Sequence, residues 1–169
     1  MIKRLLNYFT WPIRALFNQV TSGSWTASGV TPSSTSSEQN HLYRPRTTIR
    51  EVTWETTQDA LQSIRTQVFI KEQQIDPADE WDPADQDAIH LLAERDGEPV
   101  GCARILDLTK IGRMAVLKDV RHKNVGSKLL RTAITKIQDV GNPPPLGAQI
   151  PAMGFYANHG FLPEGPVFD

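Results

Sequence analysis

Apolar residues recur along this chain with two different periods. From Thr57 to Gln73, the residues Ala60, Leu61, Ile64, Val68 and Phe69 fall at i, i+3, i+4 spacing. That spacing predicts a helix, with Thr57 as its N-cap. Val125, Leu129, Leu130, Ala133, Ile134, Ile137 and Val140 form one apolar stripe of a second helix, which Gly141-Asn142-Pro143 stops. Shorter apolar runs separate the helices. TTIREVTW from Thr47 reads as a first strand. AIHLLAE and PVGCARILDL read as a hairpin turned at Asp96-Gly97, and the run from Ile111 to Leu117 as the next strand. LGAQI is a short strand, and FLPEGPVF a last one. Between them PAMGFYANHG is a short helix, with Pro151 near its first turn and Gly160 as its C-cap. The order β-α-β-β-β-α-β-α-β predicts an α/β (α+β) fold, a central sheet covered by helices.

The N-terminal 46 residues differ in kind. Leu5, Leu6, Phe9, Ile13, Leu16, Phe17 and Val20 gather near one helical face, with Pro12 as a break. Residues 21–40 are rich in Ser, Thr and Gly, the composition of a flexible linker. The expected organisation is therefore an amphipathic segment and linker over residues 1–46, then one domain over residues 47–169. Lys3, Arg4, Arg14, Arg44 and Arg46 face only Glu38 in that first part, whereas the whole chain carries −1. A weakly ordered tail, weak contact of residues 1–20 with a membrane surface and an organelle presequence all fit this composition. No apolar run approaches the length of a membrane span, so the expected location is cytoplasmic, with a peripheral membrane contact as the variant. The near-neutral charge gives no basis for nucleic-acid binding. A single cysteine, Cys102, excludes an internal disulfide and a multi-cysteine zinc site, and its place in an apolar strand reads as core.

Three constellations carry candidate chemistry. Arg121, His122, Lys123 and Asn124 form a basic loop between a strand and the helix opened by Val125, Gly126 and Ser127. A helix N-terminus disfavours cations unless an anion joins them, so the loop predicts a phosphate-bearing ligand. It is neither a Walker A loop nor a dinucleotide fingerprint. In Phe155-Tyr156-Ala157-Asn158-His159-Gly160-Phe161, both phenylalanines read as core and His159 as a helix C-terminal surface residue. Tyr156 reads as packing or as a general acid toward a departing anion. Glu72, Gln73, Asp76, Asp79, Glu80, Asp82, Asp85 and Asp87 border an acidic loop, with His90 on the following strand. A solvated loop and a pocket for a cationic substrate both fit; the spacing fits no calcium loop, and no metal is expected.

VFIKEQ (68–73), the acidic loop ending in Asp85 and His90, GCARIL (101–106), IGRMAV (111–116), the loop 121–126, LGAQ (146–149) and FYANHGF (155–161) together resemble the GNAT acyl-CoA N-acetyltransferase superfamily, and most closely its ElaA-like branch. The likeness covers roughly residues 48–168. It implies a mixed, mostly antiparallel GNAT-like sheet and acetyl-CoA as co-substrate. Met114, Ala115 and Val116 would pair with the pantetheine arm, and the loop from Arg121 through His122, Lys123, Asn124, Val125 and Gly126 to Ser127 would wrap the pyrophosphate. Gln149 falls where many relatives carry a cofactor-contacting asparagine, and Tyr156 on the family's tyrosine that protonates the departing thiolate. His122 and Asn124 stand where glycine is common; Asn124 takes a left-handed conformation more readily than most residues, whereas His122 must place a side chain beside the phosphates. Relatives usually continue through a further strand that pairs with the last one. Its absence would leave an open edge and an incomplete acceptor pocket.

The resemblance implies direct acetyl transfer to a primary amine of a small molecule or peptide, with Glu72 and His90 as candidate bases and Tyr156 as the acid. A catalytically silent CoA-binding or interaction domain, tethered by its N-terminal part, is the alternative. A nucleotide or phosphometabolite binder is a third reading.

Overall fold

The computed structural model describes residues 10–15, 45–138 and 146–163. They form a seven-stranded sheet: β1 (Thr10–Ala15), β2 (Thr47–Val52), β3 (Ile89–Arg95), β4 (Glu98–Leu106), β5 (Lys110–Val116), β6 (Leu146–Gln149) and β7 (Phe161–Pro163). Across the sheet their order is β2-β3-β4-β5-β6-β1-β7. Every neighbouring pair is antiparallel except β5 and β6, which run parallel and meet only at Ile111 and Leu146. The expected succession of strands and helices from residue 47 onward is present, with a mostly antiparallel sheet at its centre.

Two helices clamp the sheet. In α3 (Val125–Gln138), Val125, Leu129, Leu130, Ala133, Ile134 and Ile137 form the buried stripe. It packs on Leu91, Ala93, Ala103, Ile105 and Ile111. On the opposite face, α1 (Trp54–Arg65) sets Trp54, Leu61 and Ile64 over Leu92, Cys102 and Ala115. Adjacent residues Leu91 and Leu92 thus serve different cores, as strand alternation requires. Gly101 permits this close packing: a Cβ there would lie 3.0 Å from the Ala115 carbonyl oxygen and 3.2 Å from Leu129 Cδ1.

The first helix begins four residues earlier than the expected N-cap at Thr57 implies. Trp54 is its first residue and Thr53 its N-cap, so the preceding strand stops at Val52. Burial of the Trp54 ring beneath the sheet rewards the earlier start. The helix does not keep its pitch: Thr66–Glu72 is π-helical, and just beyond it Gln74 has a φ of +60°. The acidic loop is also more regular than its composition suggests. Its two Asp-Pro-Ala-Asp repeats each start a short turn: α2 (Pro77–Glu80) and a 3-10 turn over Pro83–Asp85. Asp76 Oδ1 accepts from the Ala78 N–H at 2.8 Å, and Asp82 Oδ1 accepts from the Ala84 N–H at 2.9 Å. Proline suits the first position, where its missing N–H leaves no bond unmade. The hairpin turn is as predicted: Asp96 and Gly97 have φ of +56° and +89°, both left-handed.

The N-terminal part departs from expectation. Residues 10–15, read as helical, form a strand lying between β6 and β7. Thr10 to Ile13 pair with Gln149 to Leu146, and Ile13 to Ala15 pair with Pro163 to Phe161. Pro12 opposes a continuous helix, while two facing ladders satisfy the backbone groups on both sides. One edge of the last strand, expected to be open, is therefore paired with β1, and β7 itself ends the sheet. The predicted linker over residues 21–40 and most of the predicted amphipathic segment lie outside the described residues. Among those described, no helix is long and apolar enough to cross a membrane.

Candidate active site

The sheet splits between β5 and β6. Beyond Ile111, β5 stays paired with β4 while β6 diverges, because only Ile111 and Leu146 are in register. Leu117 donates to the Val100 carbonyl on the β4 side, and alternation then turns the backbone groups of Val116 and Met114 toward the cleft. Ala115 faces β4 with its backbone and the α1 core with its side chain, so of the three strand residues it lies beneath the cleft. A β-bulge sharpens the bend: Arg113 and Met114 together oppose Ala103, and Arg113 has a φ of +47°.

The basic loop closes one end of the cleft. After a 3-10 turn over Lys118–Val120, His122 and Asn124 adopt φ of +62° and +63°. Both positions where relatives commonly carry glycine are thus left-handed here, and the loop shape is kept without glycine. Gly126 at the start of α3 faces Phe155: a Cβ there would lie 3.4 Å from Phe155 Cε2 and Cζ. That contact ties the loop to α4 (Met153–Ala157), the helix that carries Tyr156. Lys123 Nζ donates to the Asp119 carbonyl at 2.8 Å, while His122 and Asn124 are exposed. Ser127 and Gln149 are half-buried, Ser127 in the first turn of α3 and Gln149 at the end of β6.

Arg121 does not stand free before a phosphate. Its Nε donates to the Val116 carbonyl at 3.0 Å, and its Nη1 and Nη2 donate to the two Glu72 oxygens at 2.6 Å each. Hydrogen bonding from Arg121 holds the Glu72 carboxyl below the usual carboxylate range. The sequence placed Glu72 with the acceptor-side acids; the π-helical turn carries it to the cofactor loop instead.

Tyr156 is buried, with its ring edge-on to Phe155 and Phe161 at centroid distances of 5.1 and 6.0 Å. Burial pushes its hydroxyl pKa up to about 12, which keeps the proton in place at neutral pH. His159, expected at the surface, is half-buried: its ring lies 4.6 Å from that of Phe155, and Nδ1 donates to the Phe155 carbonyl at 2.8 Å. Cys102 is buried, and its thiol is pushed up to about 12 by desolvation, so it is inert as a nucleophile.

His90 lies in the interior at 2% exposure, with its ring 5.3 Å from that of Trp54. Its Nε2 donates to the Asp85 carbonyl at 2.8 Å, and burial pushes its imidazole below the ordinary value. It belongs to a buried ion network that the one-dimensional pattern concealed. Arg65, seated against the Trp54 and Trp81 rings, reaches Glu80 Oε1 at 2.5 Å and Asp85 Oδ1 at 2.9 Å. Arg104 binds Asp85 at 2.8 Å and Asp82 at 3.2 Å, and Arg113 binds Glu80 at 3.2 Å. Burial opposes ionisation of Asp85, but hydrogen bonds from Arg65 and Arg104 outweigh it. Glu80, Asp82 and Asp85 are therefore consumed by three arginines rather than offered to a cationic substrate. The signal was present in Arg104 and Arg113, set in otherwise apolar strands and in need of partners once buried.

Comparison with known proteins agrees with this fold. The model of the acetyltransferase (GNAT) family matches residues 50–161. Protein ElaA of Escherichia coli K12 is 36% identical over 121 residues, 65% of this chain and 78% of that protein. YjcF, an uncharacterized N-acetyltransferase of Bacillus subtilis, is 32% identical over 102 residues, 58% of this chain and 73% of that protein. The crystal structure of E. coli ElaA superposes with a TM-score of 0.65 at 29% identity, covering 73% of this chain and 93% of that one.

Proposed function

From the premise that this chain belongs to the GNAT family of acetyltransferases, we propose that it transfers an acetyl group from acetyl-CoA directly to a primary amine of a small molecule or peptide. The observation that carries this reading is the split between β5 and β6, followed by the left-handed loop at His122 and Asn124, which packs through Gly126 against Phe155 beside Tyr156. The cleft fits an extended arm with amide groups, because Met114 and the Val116 N–H turn toward it, while the Val116 carbonyl is held by Arg121. The loop fits a diphosphate through the backbone N–H groups between His122 and Ser127, together with the positive end of the α3 dipole. Gln149 borders the cleft from β6.

Acetyl-CoA brings an acyl group already activated as a thioester. The protein's part is positioning and polarisation. Backbone N–H groups on the β5 edge polarise the acyl carbonyl. Tyr156 holds a proton at its hydroxyl and delivers it to the departing sulfur. The amine must lose a proton before it attacks; with Glu72 engaged by Arg121 and His90 enclosed, that proton passes to water in the cleft.

Titration of the full chain with CoA tests the reading. Saturable binding that excess ATP fails to displace supports it, since adenine and phosphates alone would not fill the β5–β6 cleft. Absence of CoA binding to folded protein overturns it. CoA binding without acetyl transfer across a panel of amines would favour a silent CoA-binding domain.

A further inference from the structure

Three parts of the fold converge on one side chain at the cofactor loop. Arg121 sits at the entry to the left-handed turn, with φ of −62° and ψ of 157°, directly before His122. Its Nε spans back across the loop to the Val116 carbonyl at the end of β5. Its two terminal nitrogens meet both oxygens of Glu72, the last residue of the π-helical turn. Three of the five guanidinium donors are used in this way, and the planar fork matches the carboxylate end-on. A lysine has the charge but not this geometry.

We propose that Glu72 is a positioning residue for the diphosphate-binding loop: it locks the Arg121 guanidinium against the β5 backbone so that the loop N–H groups stand ready for the phosphates. This rests on the acetyl-CoA reading above and deepens it. In this arrangement Arg121 shapes the loop and does not contact the phosphates, and Glu72 does not take the proton of the amine. The π-helical turn ends on Glu72, whose carboxylate lies 2.6 Å from Arg121 in the loop that follows β5. The pair also joins the end of the first helical segment to the loop that follows β5.

Measuring the CoA dissociation constant and steady-state kinetics for Glu72→Gln, Arg121→Lys and the double variant tests this. Glu72→Gln removes a negative charge beside an anionic ligand, so electrostatics alone would tighten CoA binding. The proposal expects the opposite, a weakening of about fivefold to tenfold, with kcat within about twofold of the parent. Arg121→Lys should weaken CoA similarly, and the double variant should match either single one, as members of one unit do. Tighter or unchanged CoA binding in Glu72→Gln would overturn the proposal and mark Arg121 as a phosphate ligand restrained by Glu72. A collapse of kcat with unchanged CoA affinity, and loss of the acid limb of the pH–rate profile, would overturn it in favour of a base. Unchanged CoA affinity in Arg121→Lys would reduce the pair to charge alone and overturn the geometric role. Thermal melting of each variant shows that it is folded; both side chains are about one third exposed, so midpoints should move by only a few degrees. Failure of the unaltered chain to bind CoA would instead sink the acetyltransferase reading.

Discussion

Tyr156 and His90 carry ionisable side chains into the interior, and burial has opposite consequences for them. Raising the tyrosine pKa to about 12 preserves the proton that a general acid needs. Tyr156→Phe should therefore lower kcat by about two orders of magnitude while leaving the acetyl-CoA KM within about threefold. An equal loss of both would contradict the acid role. Burial holds His90 neutral, so the folded state refuses a proton that the unfolded chain accepts below the ordinary value of 6.5. Stability should be full above that pH and fall as pH drops below it, with a further loss from Asp85 only below its ordinary value of 3.8. Urea midpoints measured from pH 7.5 to pH 5 should show this slope, and His90→Gln should flatten it. At this scale the sequence exposed residue type but not surroundings. Tyr156 stood out because FYANHGF is a compact motif. The surroundings of His90 and Glu72 were not legible because their partners, the Asp85 carbonyl and Arg121, are brought in by other elements.

Elements were legible where one periodicity ruled. Helix α3 and the β3–β4 hairpin follow from their apolar stripe and the Asp96-Gly97 turn. They were less legible where tertiary packing overrode the pattern, as where Trp54 draws the helix start forward and the π-helical turn rephases its end. The cofactor loop is the sharpest case. His122 and Asn124 occupy left-handed backbone that costs an L-residue about 1–2 kcal/mol, less for Asn. His122→Gly should relieve that strain at some cost in unfolded-chain entropy, for a net gain of about 0.5–1 kcal/mol. Chemical denaturation would register it as a higher midpoint at unchanged slope. A lower midpoint would mean that the His122 side chain makes stabilising contacts of its own.

At the scale of the whole molecule, the sheet unites parts of the chain that are far apart in sequence. Strand β1 sits between β6 and β7, five positions across the sheet from β2. Ile13 is in register with both Leu146 and Pro163. Ile13→Pro would remove its N–H from the ladder at the junction of the two pairings, and should cost about 1–2 kcal/mol. A thermal midpoint unchanged by that substitution would show that β1 adds nothing to the fold. The same sheet, through the single meeting point of β5 and β6, opens the cleft that the acetyltransferase reading requires.

By itself the sequence determined the alternation of strands and helices from residue 47 onward, the two helical core stripes, the hairpin turn and the family. Each is written in local spacing or in ordered short motifs that need no distant partner. Only the tertiary structure decided which charges are spent and which are available. Three acids of the loop are neutralised by arginines from α1, β4 and β5; Glu72 is spent on Arg121; and residues 10–15 become a strand because two ladders await them. Coulomb attraction and backbone pairing act over a few ångströms, and those distances come into being only once the chain has folded.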